Sequence, residues 1–420
     1  MHALTILQRC LGPLLGGVHR RRLAVLLEAV AATVSGPRLT LTDIARRFAG
    51  GADLRQRIKR ADRLLGNRHL QRDSRAIYSA LGRMLLAGVA EPLIVIDWSD
   101  LKRDQSLHLL RASLPVGGRS LTLYEEVHPQ KHLGNRQVQH RFLQRLAALL
   151  PASAAPIIVA DSGFKVPFYR EVERLGWRWV GRVRGRDYIK LEQRWRSCKR
   201  VFAQATRTPT ALGIGAWVRS NPLRACFVLV HQAPQGRQDK TAMGKRARSK
   251  QSRQSARGAR EPWLLVASTR LADWPAKRLV RVYRQRMQIE LSFRDMKSQH
   301  FGAGLECSAS KGAGRFSVLV LIASLAAILL WLIGTAAERS GLHERLRPNS
   351  RKRRAYSRLF MARLLLTLEH CKPAAVDLVA AIAPLEQCVA SDPDASLAEG
   401  PWEAGFLRMT QRLRLSHSVM

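Results

Sequence analysis

The sequence predicts an α/β protein whose core is interrupted by a β-rich insertion and flanked by a helical region at each end. Three observations carry this. Two short apolar runs, residues 93–96 and 157–160, each lead directly into an aspartate. Between them lie two strand-like stretches and a helix-like one. Residues 1–90 and 341–420 instead have helical spacing of their apolar residues.

Composition narrows the partners. Of 420 residues, 71 are Lys or Arg and 31 are Asp or Glu, a formal charge of +40. Such a field favours a polyanion, and nucleic acid is the first candidate. The six cysteines are scattered without a close pair, which argues against a zinc ribbon or a disulfide framework and suits a reducing cytoplasm. The opening residues have no basic start followed by a long apolar run, so export is not expected.

In chain order, residues 1–90 read as a helical DNA-binding region. Thr42 is placed to cap a short helix reaching Phe48, a glycine turn follows, and a second helix spans 53–65. That second helix carries Arg55, Arg57, Lys59, Arg60 and Arg63, in outline a helix-turn-helix with a basic second helix. Residues 91–183 begin the core. A strand over 93–96 ends in Asp97, strands follow near 106–113 and 120–127, and a helix is expected over 136–150. A strand over 157–160 then ends in Asp161, before a helix and a further strand. This element order is that of a ribonuclease H-like domain, in which adjacent parallel strands present two carboxylates at one sheet edge.

Residues 184–274 read as a β-rich insertion. Within it, residues 237–260 hold nine Lys or Arg and one acid, Asp239, and no branched aliphatic or aromatic residue, as expected of a basic loop able to clamp a phosphate backbone. Residues 275–340 complete the core. A helix over 275–300 places Tyr283, Arg286, Glu290 and Lys297 at offsets 0, 3, 7 and 14. On one continuous helix these share an arc of roughly 60°. Residues 316–337 form an uncharged run of 22, long enough to span a membrane. In the context of the core it is expected to be a buried helix, with no membrane partner. Residues 341–420 read as a helical C-terminal region.

Asp97, Asp161 and Glu290 are therefore the candidate catalytic and metal-binding residues, separated by 64 and 129 positions. Three carboxylates on one domain can hold two Mg²⁺ ions for in-line phosphoryl displacement, with Mn²⁺ able to substitute. Arg286 and Lys297 are expected at phosphates beside the cut, and Tyr283 is expected to hydrogen-bond or stack nearby. Asp100, Asp104, Glu125, Glu126 and Asp295 are nearby acids without a strand-ending position or a place on the signature face.

With these residues assembled, the chain resembles the DDE transposases of bacterial insertion sequences. The match is to the insertion-sequence-four branch, marked by Tyr-x2-Arg-x3-Glu-x6-Lys, which Tyr283, Arg286, Glu290 and Lys297 fill without a gap. Asp97 in VIDWSD and Asp161 in VADSGF stand where that family carries its other two acids. The resemblance covers about residues 40–335. It implies a ribonuclease H-like core, dependence on Mg²⁺ or Mn²⁺, and cut-and-paste transposition. It also implies a homodimer that brings two double-stranded transposon ends together, working at the nucleoid in the bacterial cytoplasm. The alternative expectation is a catalytically silent DNA-binding protein derived from such a transposase.

Overall fold

The structure is a computed structural model describing residues 2–185, 187–232, 253, 256, 258, 260–300, 302–350, 355–368 and 375–381. The chain divides into two units. Among the described residues, the first takes those up to Gly163, Pro167–Trp177 and those from Gln285 to 381; the second takes Phe164–Val166 and those between Arg178 and Arg284. Most of the basic loop expected over 237–260, and the C-terminal region beyond residue 381, lie outside the described residues.

The first unit is mixed α/β. Its strands are β1 (Leu93–Asp100), β2 (Leu107–Pro115), β3 (Ser120–Pro129) and β4 (Ile157–Ala160), in the spatial order β3-β2-β1-β4. The first three are antiparallel neighbours, and β4 lies parallel to β1. A parallel neighbour requires a crossover, and helix α6 (Arg136–Leu149) supplies it, capped by the Asn135 side chain. β1 runs three residues beyond Asp97, because Asp97–Asp100 pair with His108–Arg111 of β2. Asp97 therefore lies inside its strand rather than at its end, a correction to the sequence expectation. Asp161 does follow the last residue of β4.

Five helices precede the sheet: α1 (His2–Leu11), α2 (Arg20–Ser35), α3 (Leu41–Arg46), α4 (Leu54–Leu65) and α5 (Arg68–Leu85). Thr40, not Thr42, caps α3, accepting from the Asp43 N–H at 3.2 Å, and the helix stops at Arg46. Asp53 caps α4 by accepting from the Gln56 N–H at 2.7 Å. Although expected as a region of their own, these helices belong to the same unit as the sheet. Helices α1, α2, α4 and α5 have a common partner in the uncharged run.

That run forms α11 (Ala313–Arg339), in which 20 of 27 residues are buried. Helices α2, α4, α5 and α12 (Arg358–Thr367), together with β3, pack around it. Gly334 sits where α12 crosses, and a Cβ there would run into the Arg358 carbonyl. A helix apolar on every side is stable in water only when covered on every side, and here protein covers it.

The second unit holds a six-stranded antiparallel sheet. Its strands are β5 (Arg178–Val183), β6 (Tyr188–Leu191), β7 (Arg194–Ser197), β8 (Thr210–Trp217), β9 (Leu223–Val230) and β10 (Trp263–Ala267). Their order is β5-β10-β9-β8-β6-β7, with β7 at one edge. Trp179 and Trp217 are fully buried. Two short helices, α7 (Val166–Arg174) and α8 (Cys198–Phe202), come earlier in the chain, and helix α9 (Ala276–Arg284) packs against β5, β8 and β9.

The expected signature helix is two helices. After α9 the chain makes a turn at Gln285–Arg286 and restarts as α10 (Met287–Lys297). Gln288 N–H and Ile289 N–H bond back three residues rather than four, to the carbonyls of Gln285 and Arg286. A tightened turn ends the regular 3.6-residue repeat, so the single arc of one continuous helix does not apply across it. Arg286, at the start of α10, belongs with Glu290 and Lys297 in the first unit, and Tyr283 belongs to the second.

Candidate active site

β1 and β4 run parallel in register from Leu93↔Ile157 to Ile96↔Ala160. The next residue on each strand is an aspartate, so Asp97 and Asp161 leave adjacent strands at the same level. Each carboxylate is fixed by a local backbone donor. Asp97 Oδ1 accepts from the Trp98 N–H at 2.8 Å, and Asp161 Oδ1 accepts from the Gly163 N–H at 2.7 Å. A side chain at Gly163 would place its Cβ 2.9 Å from that same Oδ1, so the turn leaves no room for one.

Glu290 comes from α10, which is fastened to the β2–β3 hairpin by its other side. Gln288 Oε1 accepts from the N–H groups of Val116 and Gly118 at 3.1 and 3.0 Å. Ser292 Oγ accepts from the Ser120 N–H at 2.8 Å and donates to the Ser120 carbonyl at 3.1 Å. One turn further, Asp295 pairs with Arg119 at 2.5 Å. Positions 288, 292 and 295 thus form the docking stripe of α10, and Glu290 is left exposed on another face.

Arg286 joins the acids. Its Nη1 lies 2.7 Å from Glu290 Oε1 and 3.4 Å from Asp97 Oδ2. Lys297, two turns beyond Glu290, donates from Nζ to Ser99 Oγ at 2.9 Å and to the Asp100 carbonyl at 3.1 Å. Burial pulls the Lys297 ammonium pKa down, with Asp100 opposing. Asp97 is pushed up to about 8, by burial first and then by the nearby Asp161 and Glu290, against the opposing pull of Arg286 and the Trp98 N–H. A buried acid facing two others is a site short of positive charge.

Behind Asp97 the sheet is polar. Cross-strand register sets Asp97 beside Arg111, and Arg111 beside Glu125, all on one face. Arg111 Nε donates to Glu125 Oε2 at 2.7 Å, and Tyr78 and Ser324 both donate to Glu125 Oε1, at 2.8 and 2.7 Å. Two of the nearby acids are therefore structural: Glu125 serves this network and Asp295 serves Arg119.

The other expected contacts separate. Tyr283 is only 3% exposed, its ring edge-on to Trp263 at 5.1 Å, so it packs within the second unit instead of facing solvent. On α4, Arg55, Lys59 and Arg63 are exposed and spaced four residues apart along one face. Arg57 and Arg60 are committed to the fold. Arg57 donates to the carbonyls of Ala52 and Phe48, and Arg60 pairs with Glu28 at 2.5 Å while lying over the Phe48 ring. Sequence reasoning did not single out Gly163, whose small size beside Asp161 was the available signal. Nor did it find Arg111, because cross-strand register is not written locally.

An oxygen-only donor set of three acids suits a hard divalent cation. Among the described residues, however, no three His, Cys, Asp or Glu side chains stand close enough together to hold one ion as they are. Arg286 is the cation at the acids.

Comparison with known proteins decides the family. Residues 90–330 match the transposase DDE domain, a span that begins just before β1 and ends within α11. The chain belongs to the DDE transposase family. Among solved structures, the piggyBac transposase synaptic complex with hairpin DNA is similar with a TM-score of 0.41 and 12% identity, over 94% of this chain and 76% of that one. A likeness of that degree adds nothing further about this transposase. No curated protein sequence matches it.

Proposed function

We propose that this transposase excises and inserts an insertion sequence of the insertion-sequence-four branch by metal-dependent cut-and-paste chemistry. The observation that carries the reading is the pair of aspartates at one level on adjacent parallel strands, with Glu290 brought to Asp97 through Arg286. The first unit's sheet is read as a ribonuclease H-like core, and the second unit as the insertion between Asp161 and Glu290.

In this reading Asp97, Asp161 and Glu290 would hold Mg²⁺, or Mn²⁺ in its place. The bound cations would activate water or a 3′-hydroxyl and stabilise the leaving oxygen. The chain's own groups do the rest. Trp98 N–H and Gly163 N–H fix the two aspartates so that little reorganisation is needed. Arg286 supplies a forked cation for a phosphate beside the cut. Ser99 and the Asp100 carbonyl orient Lys297 beside it. Arg55, Lys59 and Arg63 form the sequence-independent phosphate contact of the helical region. Partners are then double-stranded transposon ends and target DNA, a second copy of the chain in the synaptic complex, and no membrane. The place of action is the bacterial nucleoid.

The test uses a labelled duplex from the DNA flanking the coding region, with Mg²⁺, and Glu290→Gln beside the wild type. Metal-dependent cleavage at one end position, lost in the variant, is the expected result. Binding without cleavage by either protein would instead favour a catalytically silent relative.

A further inference from the structure

The second unit carries a surface with no part in the chemistry above. Register places Tyr188 and Lys190 of β6 and Trp195 of β7 on one face of the sheet, and continues that face through Ala216 to Arg224. Tyr188 is 39% exposed, and Ile214, two residues before Ala216 on β8, is 46% exposed. The guanidinium of Arg219 lies over the Tyr188 ring at 4.7 Å and within 6.0 Å of the Trp195 ring. Lys190, Arg219 and Arg224 are the charged members of this set, and all three are cations.

The backbone here is held in an unusual way. Four non-glycine residues among those described have left-handed φ, and three of them border this surface. Glu192 (φ 49°) and Gln193 (φ 61°) make the two-residue turn between β6 and β7, without the Asn-Gly such a turn prefers. Val218 (φ 66°) directly follows β8, its N–H donating to the Tyr188 carbonyl at 2.9 Å. A β-branched residue is strained in that region and stays there only where its surroundings hold it. The residue it leads into is Arg219, the one laid across both rings.

We infer that this face of the second unit binds a single-stranded or unpaired DNA segment, with bases stacking against Tyr188, Trp195 and the Arg219 plane, and Lys190 and Arg224 at the phosphates. Aromatic rings interleaved with cations on a sheet face suit unpaired bases, whose flat faces a duplex hides. A duplex-only surface needs the cations and has no use for exposed rings. The inference takes its class of ligand from the proposed DNA chemistry but makes a separate claim. A protein that cleaves its flanks but binds single strands no differently after loss of these rings overturns this inference alone.

The test measures anisotropy of a labelled thymidine 20-mer and of a duplex of equal length, near 0.2 M salt, with Tyr188→Ala/Trp195→Ala and with Arg219→Gln. Each stacked base is worth about 1–3 kcal/mol, roughly 5- to 150-fold in affinity. The double variant should therefore lose at least tenfold for the single strand and less than twofold for the duplex. Duplex binding in the same samples reports that the protein is folded. Equal losses for both ligands would reveal a plain electrostatic surface, and unchanged single-strand affinity would mean the face serves something else. Either result overturns the inference. Photocrosslinking with an iodouridine-substituted strand should label Tyr188 or Trp195, and crosslinks confined to other residues would also overturn it.

Discussion

Replacing Asp97 with Asn should make the metal-free protein more stable, by an amount that grows with pH. The folded-state pKa of Asp97 is about 8, whereas an unfolded aspartate titrates near 4. An acid whose pKa is raised on folding keeps a proton that the unfolded chain has lost. Its contribution is therefore intact below about pH 4 and is lost as pH rises through the folded value. The slope between those limits is about 1.4 kcal/mol per pH unit for one such group. Asparagine has the shape of the protonated acid and no charge to bury, so it escapes this loss. The expected gain is about 1–2 kcal/mol at pH 5 and on the order of 5 kcal/mol at pH 8. The Asp97 side chain is 12% exposed, so solvent screening removes little of this. Urea unfolding in EDTA at pH 5, 6.5 and 8 measures it. A gap that does not change with pH, or a variant less stable than wild type at pH 8, would refute the reasoning. Arg286→Gln should extend the sloping part of the curve to higher pH, because it removes the cation that opposes the shift.

Other consequences can be checked separately. Gly163→Ala pushes a Cβ against Asp161 Oδ1, and displacement of a reacting group by a fraction of an ångström should lower end cleavage roughly 10–100-fold, with the melting temperature nearly unchanged by calorimetry. Replacing Arg55, Lys59 and Arg63 together with Gln should flatten the plot of log affinity against log salt by about 3, near 0.9 per lost phosphate contact. Arg57→Gln should leave that slope alone and lower stability, because its partners are the Ala52 and Phe48 carbonyls. Glu125→Gln leaves Arg111 buried without its counter-charge and should cost about 3–5 kcal/mol in urea unfolding. Replacing Arg111 with Met in the same chain should recover part of that loss.

The sequence reports best where one physical cause dominates. The runs at 93–96 and 157–160 are uniformly apolar because their strands are buried on both sides, and that is legible from composition. The parallel register that sets Asp97 and Asp161 level is not, since it depends on a crossover some 60 residues long. The break at Gln285–Arg286 left no mark either. No glycine or proline stands there, and helical spacing continues through it, so nothing local separates Tyr283 from Arg286, Glu290 and Lys297. Tyr283 is turned inward by Trp263, a neighbour 20 residues earlier that no helical wheel contains. The same limit applies to α4, whose five basic residues look alike in sequence. Only the positions of Glu28, Phe48 and Ala52 show that two of them hold the fold and three face outward.

The burial of α11 also bears on how the chain is made. Until α2, α5, the sheet and α12 have closed around it, a nascent or partly opened molecule displays a segment long and apolar enough to cross a lipid bilayer. Partitioning between bilayer and core then becomes a race, and the sequence enters it with one side of the cover, α12, still unsynthesised. Gly334 sits at that last contact. Gly334→Ala should loosen α12 before it disturbs the sheet, and the fraction of newly made protein sedimenting with membranes should rise as the melting temperature falls. On this view the stability of the C-terminal cover sets how much of the transposase reaches DNA at all.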